Sequence, residues 1–278
     1  MIPSALQLPS PVKPLSRARL WTSALRVLPD FLIIGAQKGG TTSLYAYLSA
    51  HPNIAPALEK EVHFFDYNFS RGEAWYRAHF PTQLEKWRGT FLMTGEASPY
   101  YLFHPRATLH AKQIVPHAKL IVLLRNPVER AYSQYHHQVR LGLEELSFEE
   151  AIDQEPARLA GEFEKLISDD EYYSFNYQNY SYLARGMYAD QLTRWFKFFP
   201  RQQFLILESQ AFYAQPAPTL ERALDFLGAP RWQPATFRVE NDGAYPAINP
   251  DTRAMLVEFF APHNARLYEL LNVDFDWN

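Results

Sequence analysis

The sequence predicts an α/β fold, a P-loop-like central parallel sheet flanked by helices on both sides. Three observations carry that expectation. Phe31-Leu-Ile-Ile34 and Leu120-Ile-Val-Leu-Leu124 are unbroken apolar runs, as strands buried on both faces require. Helical periodicity follows each run, so strands and helices alternate. The first strand passes into its helix through Gly35, Gly39 and Gly40. Such a glycine-rich turn exposes backbone N–H groups at a helix N-terminus, which suits an anion.

The remaining elements follow in order. Met1 to Pro29 holds five prolines and four basic residues, and reads as a flexible tail over 1–29 before one domain over 30–278. After the first strand, Leu44, Tyr45 and Leu48 recur at helical spacing. Ile54 and Ala55 look like a short strand. Lys60-Glu-Val-His-Phe-Phe-Asp66, if extended, puts Glu61, His63 and Phe65 on one side and Val62, Phe64 and Asp66 on the other. Phe91 to Thr94 reads as a strand entering Gly95-Glu-Ala-Ser-Pro-Tyr-Tyr101, and 105–115 as a helix. The strand 119–124 ends in Arg125. Asn126 then caps a helix with Pro127 at its first position and Glu129 completing the box. Ser147 to Glu150 repeats that signature. Between Leu141 and Glu171 eleven acidic residues face two basic ones, the usual mark of a solvated face or mobile loop. A helix around Trp195, a strand 204–207, a helix 218–228 closed by Gly228, and a last helix 252–271 complete the chain.

Composition narrows the function classes. At 278 residues the chain can bury a full core. A net charge of −3 gives no overall basic field for nucleic acid or an anionic membrane. With no cysteine, disulfides and thiolate chemistry are excluded. No apolar run approaches the length of a membrane span, and a cytoplasmic location is expected.

Gly35 to Thr42 nearly fits the P-loop spacing G-x-x-x-x-G-K-[ST]. Thr41 stands where the lysine belongs, Thr42 keeps the hydroxyl, and Lys38 has moved inside the loop. This is a phosphate cradle altered for another ligand. Its form, Lys38-Gly-Gly-Thr41, resembles the 5′-phosphosulfate loop of sulfotransferases that use 3′-phosphoadenylyl sulfate (PAPS), most like the heparan sulfate sulfotransferase group. Val122-Leu-Leu-Arg-Asn-Pro-Val-Glu-Arg-Ala-Tyr-Ser133 resembles the group's second cofactor segment. The resemblance implies that Lys38, Gly39, Gly40, Thr41 and Thr42 hold the phosphosulfate, and that Arg125 and Ser133 bind the 3′-phosphate. The physics agrees, since a guanidinium fork suits phosphate. Both sites fall at strand carboxyl ends, where open parallel sheets bind ligands. Arg125 could instead simply pair with Glu129.

Lys60 to Asp66 resembles the motif that carries the group's catalytic glutamate. The resemblance makes Glu61 the base for the acceptor proton, with Lys38 stabilising the leaving oxygen. His63 and Asp66 then position the acceptor or tune Glu61, and Ser98 and Tyr188 are further candidates for acceptor contact. A metal held by Glu61, His63 and Asp66 lacks a second ligand cluster, so no metal is expected. The order Tyr188, Trp195-Phe-Lys-Phe-Phe-Pro200 and Asp274-Phe-Asp-Trp277 extends the likeness to the C-terminus. There are two departures. Ala97 stands where the group often has lysine, and Asn241-Asp-Gly-Ala-Tyr245 offers no basic residue to the cofactor. With the acidic run, these lead to an expected acceptor that is neutral or weakly charged, a hydroxyl or amine of a glycan, lipid or small metabolite. Two rivals stand beside the sulfotransferase. A P-loop kinase would need a lysine beside Thr42 and a magnesium carboxylate. A non-catalytic nucleotide-binding module would need no Glu61.

Overall fold

The computed structural model describes residues 14–238 and 245–277. Five parallel strands form its sheet: β1 (Phe31–Gly35), β2 (Ile54–Pro56), β3 (Met93–Ala97), β4 (Lys119–Leu124) and β5 (Phe204–Glu208), in the order β2-β3-β1-β4-β5. β1 is central because its side chains are apolar on both faces, so it can be covered on both. Leu32 and Ile34 join Leu120, Val122 and Leu124 in one layer, under Tyr188, Leu192 and Trp195. Phe31 and Ile33 join Ile121 and Leu123 in the other, under Leu44, Leu48, Leu220 and Leu224. The period of two along each strand thus splits one sheet between two cores.

β3 runs to Ala97, three residues past the stretch expected from its apolar character. Parallel pairing decides this, as Phe31, Leu32 and Ile33 sit opposite Gly95, Glu96 and Ala97. Gly95 is needed there, because a Cβ would stand 2.4 Å from the Phe31 ring.

The N-terminal expectation changes. Residues 1–13 lie outside the described residues, but 14–29 are anchored rather than flexible. Ser16 caps the helix Arg17–Trp21, and Arg19 donates through Nε to the Ala78 carbonyl at 2.6 Å. Buried Arg26 donates through Nη1 to the Phe80 carbonyl at 2.7 Å.

The acidic run is a solvated face only in part: eight of its eleven carboxylates are exposed, and three are buried. Glu144 is buried against Arg158 at 2.5 Å and the Tyr182 hydroxyl at 2.8 Å. Glu155 is buried and accepts the Leu183 and Ala184 amides at 2.6 and 2.8 Å. Glu162 accepts from Ser174, Tyr172 and Lys165. These carboxylates tie the helices Phe148–Leu159 and Glu162–Ser168 to the tyrosine-rich segment that follows.

Candidate active site

β1 ends at Gly35, and the loop 36–40 turns over the sheet into the helix Thr41–Ala50. Lys38 lies in the left-handed region, at φ 69°, and Gly40 at 95°. A lysine holds such a conformation only where its surroundings over-determine it. They do so here. Gly39 donates its amide to the Ala36 carbonyl at 3.0 Å, and the Ser209 hydroxyl donates to the Gly39 carbonyl at 2.8 Å. Arg125 donates through Nη1 to the Lys38 carbonyl at 3.1 Å. Gly39 cannot carry a side chain, since a Cβ would meet the Leu123 carbonyl oxygen at 2.5 Å. The first-turn N–H groups at Thr41 and Thr42 have no intrahelical acceptor, so the loop presents them to an anion.

Arg125 follows the last residue of β4, which pairs with β1, so both anion segments open at the same end of the sheet. It is not committed to Glu129, which pairs with Arg253 instead. Asn126 caps the helix as expected, its side chain accepting the Val128 amide at 3.0 Å, but Glu129 does not complete the expected box, its carboxylate being turned to Arg253. Ser133 lies two turns into the helix Pro127–Arg140, almost buried.

The segment 61–66 is not the extended strand that alternation suggested. Glu61 and His63 have φ of 61° and 51°, so the chain reverses through both. The reversals bring Glu61, His63 and Asp66 to one side, where alternation placed Asp66 opposite. His63 Nδ1 bonds Asp66 Oδ2 at 2.7 Å, and its Nε2 faces Glu61 Oε2 at 3.4 Å. The Glu61 side chain stays 41% exposed and is within reach of an acceptor. Burial opposes charge on His63, but Asp66 and Glu61 outweigh it and raise the imidazole to about 10. Burial likewise works against the Glu61 carboxylate, while the His63 hydrogen bond and the Lys60 ammonium hold it at about 2. Glu61 is therefore an anion at neutral pH and His63 a cation. Burial first, then the nearby charges of Arg140 and Arg125, lower Lys38 to about 8, with Glu61 partly offsetting them.

Ser98 and Tyr188 have different employment from that expected. Ser98 is fully buried, donates to Glu96 at 2.7 Å and accepts the His63 amide at 3.2 Å. Tyr188 is buried and donates to the Arg125 carbonyl at 2.8 Å. Both are buried and bond residues of the site. Asn241 to Ala244 lie outside the described residues. Tyr245 stacks on His136 with ring centroids 4.6 Å apart.

Two residues at this site were not singled out from sequence. Arg185 is buried beneath Tyr100 and Phe103, and donates to Gln37, next to Lys38 in the loop. Nothing local marks it, because its partners are 148 residues away or carbonyls of the backbone. His137 lies one turn beyond Ser133 on the same helix face, and helical spacing was the available signal. Burial and then the charges of Lys38 and Arg140 lower it to about 4, so it is neutral beside Glu61 and Lys38. Arg140 Nη2 bonds His137 Nδ1 at 3.0 Å. Glu96, which the sequence offered only as a magnesium carboxylate for the rival kinase, is fully buried in β3.

A parallel sheet with two cation-bearing anion segments at its carboxyl end, and a carboxylate beside them, defines a phosphate-loop α/β transferase. The sulfotransferase domain family matches residues 28–239, and the chain belongs to that family. It is a PAPS-dependent sulfotransferase. It is 30% identical to the Mus musculus heparan sulfate glucosamine 3-O-sulfotransferase 3A1, over 96% of this chain and 68% of that one. It is 30% identical to the Homo sapiens bifunctional heparan sulfate N-deacetylase/N-sulfotransferase 2, over 88% of this chain and 30% of that one. The crystal structure of a sulfotransferase from Alicyclobacillus acidocaldarius superposes with a TM-score of 0.68 at 32% identity, over 90% of this chain and 99% of that one. Family membership decides against the kinase and the bare binding module.

Proposed function

We propose that the chain transfers the sulfuryl group of PAPS to a hydroxyl or amine of a glycan, with Glu61 as the base. The observation that carries this reading is the meeting of two segments at one end of the sheet. Glu61 donates its amide to the Ala97 carbonyl, at the end of β3, at 3.0 Å. β3 pairs with β1, whose end opens the Lys38 loop. The base segment is thus pinned to the end of the strand beside the one that opens the anion loop. PAPS, when bound, supplies a sulfur with a good leaving group.

In this reading the loop amides from Lys38 to Thr42 hold the 5′-phosphosulfate, and Arg125 with Ser133 holds the 3′-phosphate. Glu61 accepts the acceptor's proton as its oxygen or nitrogen bonds to sulfur. Lys38 stabilises the charge growing on the bridging oxygen as the sulfur–oxygen bond breaks. His63, kept cationic and bonded by Asp66, fixes Glu61 and is not a base at neutral pH. Neutral His137 and charged Arg140 lie in the same field as Lys38. Both ring nitrogens of His63 are committed to carboxylates, so the residues fit proton transfer better than a metal.

A glycan acceptor is favoured because the relatives are named for heparan sulfate and glucosamine. The expected preference for a neutral acceptor loses part of its support. Three carboxylates of the acidic run are spent inside the fold, while Arg140 stands near Lys38. The test is Glu61→Gln, which keeps shape but cannot take the proton. Single-turnover transfer should fall by about 10²–10⁴-fold, with affinity for the product nucleotide PAP nearly unchanged. Full activity would remove Glu61 as the base. A panel of glucosamine glycans, lipids and hydroxylated metabolites tests the acceptor class.

A further inference from the structure

A carboxylate that touches neither anion segment lies behind the base. Glu96 is fully buried in β3, with no exposed surface. Three hydroxyls donate to it: Tyr76 and Tyr101 to Oε1 at 2.7 and 2.9 Å, and Ser98 to Oε2 at 2.7 Å. Two of those hydroxyl oxygens also accept backbone amides from the base segment. Ser98 Oγ accepts from His63 at 3.2 Å, and the Tyr101 hydroxyl accepts from Phe64 at 2.8 Å. Both amides lie in the stretch that reverses through positive φ at Glu61 and His63.

A hydroxyl has one proton and two lone pairs. With its proton held by Glu96, each of these oxygens can only offer lone pairs to the segment above. Glu96 thereby fixes the direction of both hydroxyls, and through them the two strained turns. From this geometry we propose that Glu96 is a positioning residue for sulfuryl transfer, setting the placement of Glu61 and His63 through the hydroxyls of Ser98 and Tyr101. The proposal rests on the reading of Glu61 as the base. A neutral amide at this position breaks the arrangement. Gln offers one acceptor and two donors, so its nitrogen confronts a hydroxyl that must turn its proton away, and that proton then points at an amide N–H.

The test compares Glu96→Gln, Ser98→Ala, Tyr76→Phe and Glu61→Gln by single-turnover transfer, PAP titration and melting temperature. Glu96→Gln should lower turnover by roughly 10²-fold, the scale of a 1 Å misplacement, with PAP affinity within about twofold of the parent. The double variant Glu61→Gln/Glu96→Gln should be no slower than Glu61→Gln alone, because both act on one step. Tyr76→Phe and Ser98→Ala each remove one hydrogen bond to Glu96, but only the Ser98 hydroxyl also bonds the base segment; Tyr76 meets it through its ring alone, which phenylalanine keeps. Ser98→Ala should therefore lose about tenfold in turnover and Tyr76→Phe much less. A purely structural role would move both by their stability cost, whatever they touch. If Glu96→Gln fails to fold, this pair decides. Equal turnover for the two, or multiplied losses in the double variant, overturns the proposal. Full activity of Glu61→Gln would instead overturn the base reading on which it rests.

Discussion

Lys38 is a cation surrounded by cations. Burial and the charges of Arg140 and Arg125 bring it to about 8, so it carries its proton at neutral pH and sheds it in mild alkali. The protonated form binds an anion and the neutral form does not. A bound phosphate raises the lysine, so binding takes up a proton above pH 8. PAP affinity should thus be nearly flat around pH 7, about halved by pH 8, and fall further as pH rises beyond it. The phosphates lose their second proton near pH 6, at about that value, so they do not titrate in this window. Lys38→Arg should flatten the dependence, because arginine stays charged. Calorimetric titration from pH 7 to 9.5 checks this, and a slope that persists in Lys38→Arg would assign it to another group. At this scale the anion residues were legible, since loop chemistry is local: Gly39 and Lys38 are named by spacing. Arg185 was not, because what it holds lies on other elements, and Glu96 was read only as a metal carboxylate for the rival kinase.

Between β4 and the helix Pro127–Arg140, three consecutive residues do separate work. Arg125 reaches back to the Lys38 carbonyl, Asn126 caps the helix, and Pro127 starts it without needing a donor. If the guanidinium also takes the 3′-phosphate, Arg125→Ala should weaken PAP far more than adenosine 5′-phosphosulfate, which lacks that group. Losing a charge-assisted bond costs about 1.5–3 kcal/mol. Its contact with Lys38 contributes equally for both ligands, so their ratio isolates the phosphate. Competition binding measures it, and equal weakening would move the 3′-phosphate elsewhere. Gly39→Ala should remove binding of both ligands together, because the methyl group collides with the Leu123 carbonyl. The elements themselves were mostly legible. Apolar runs mark β1 and β4, and the capping box at Ser147 opens its helix as expected. The segment 61–66 was misread because alternation is a valid guide only for extended chain. Positive φ at a glutamate and a histidine leaves no trace in the pattern.

At the scale of the molecule, buried positive charge collects behind the anion segments. Arg130 and Arg185 are both buried and bond neutral oxygens, of Gln134 and Tyr182 for one, and of Gln37, Tyr177 and Gln178 for the other. Arg130 lies within the fields of Arg125 and Arg185, and adds to the charge felt by Lys38. Buried cations without a bonded carboxylate are costly. Glu155 does little to relieve them, since burial raises it to about 7 and leaves it partly protonated. This group was invisible in the overall charge of −3, which sums over the whole chain without regard to place. An anionic nucleotide held at Lys38 and Arg125 would add negative charge to this field, so its binding should stabilise the fold. At a hundred times its dissociation constant a ligand adds about 2.7 kcal/mol, and for a domain of this size that raises the melting temperature by roughly 5–10 °C. PAP should produce this shift without magnesium. ATP with magnesium should do little, because it lacks the 3′-phosphate and the loop has Thr41 where a P-loop has its lysine. The measurement is a melting series with PAP, adenosine 5′-phosphosulfate and ATP, each with and without magnesium. A larger shift with magnesium-ATP would mean that the loop cradles a triphosphate, and that its altered lysine does not select the ligand.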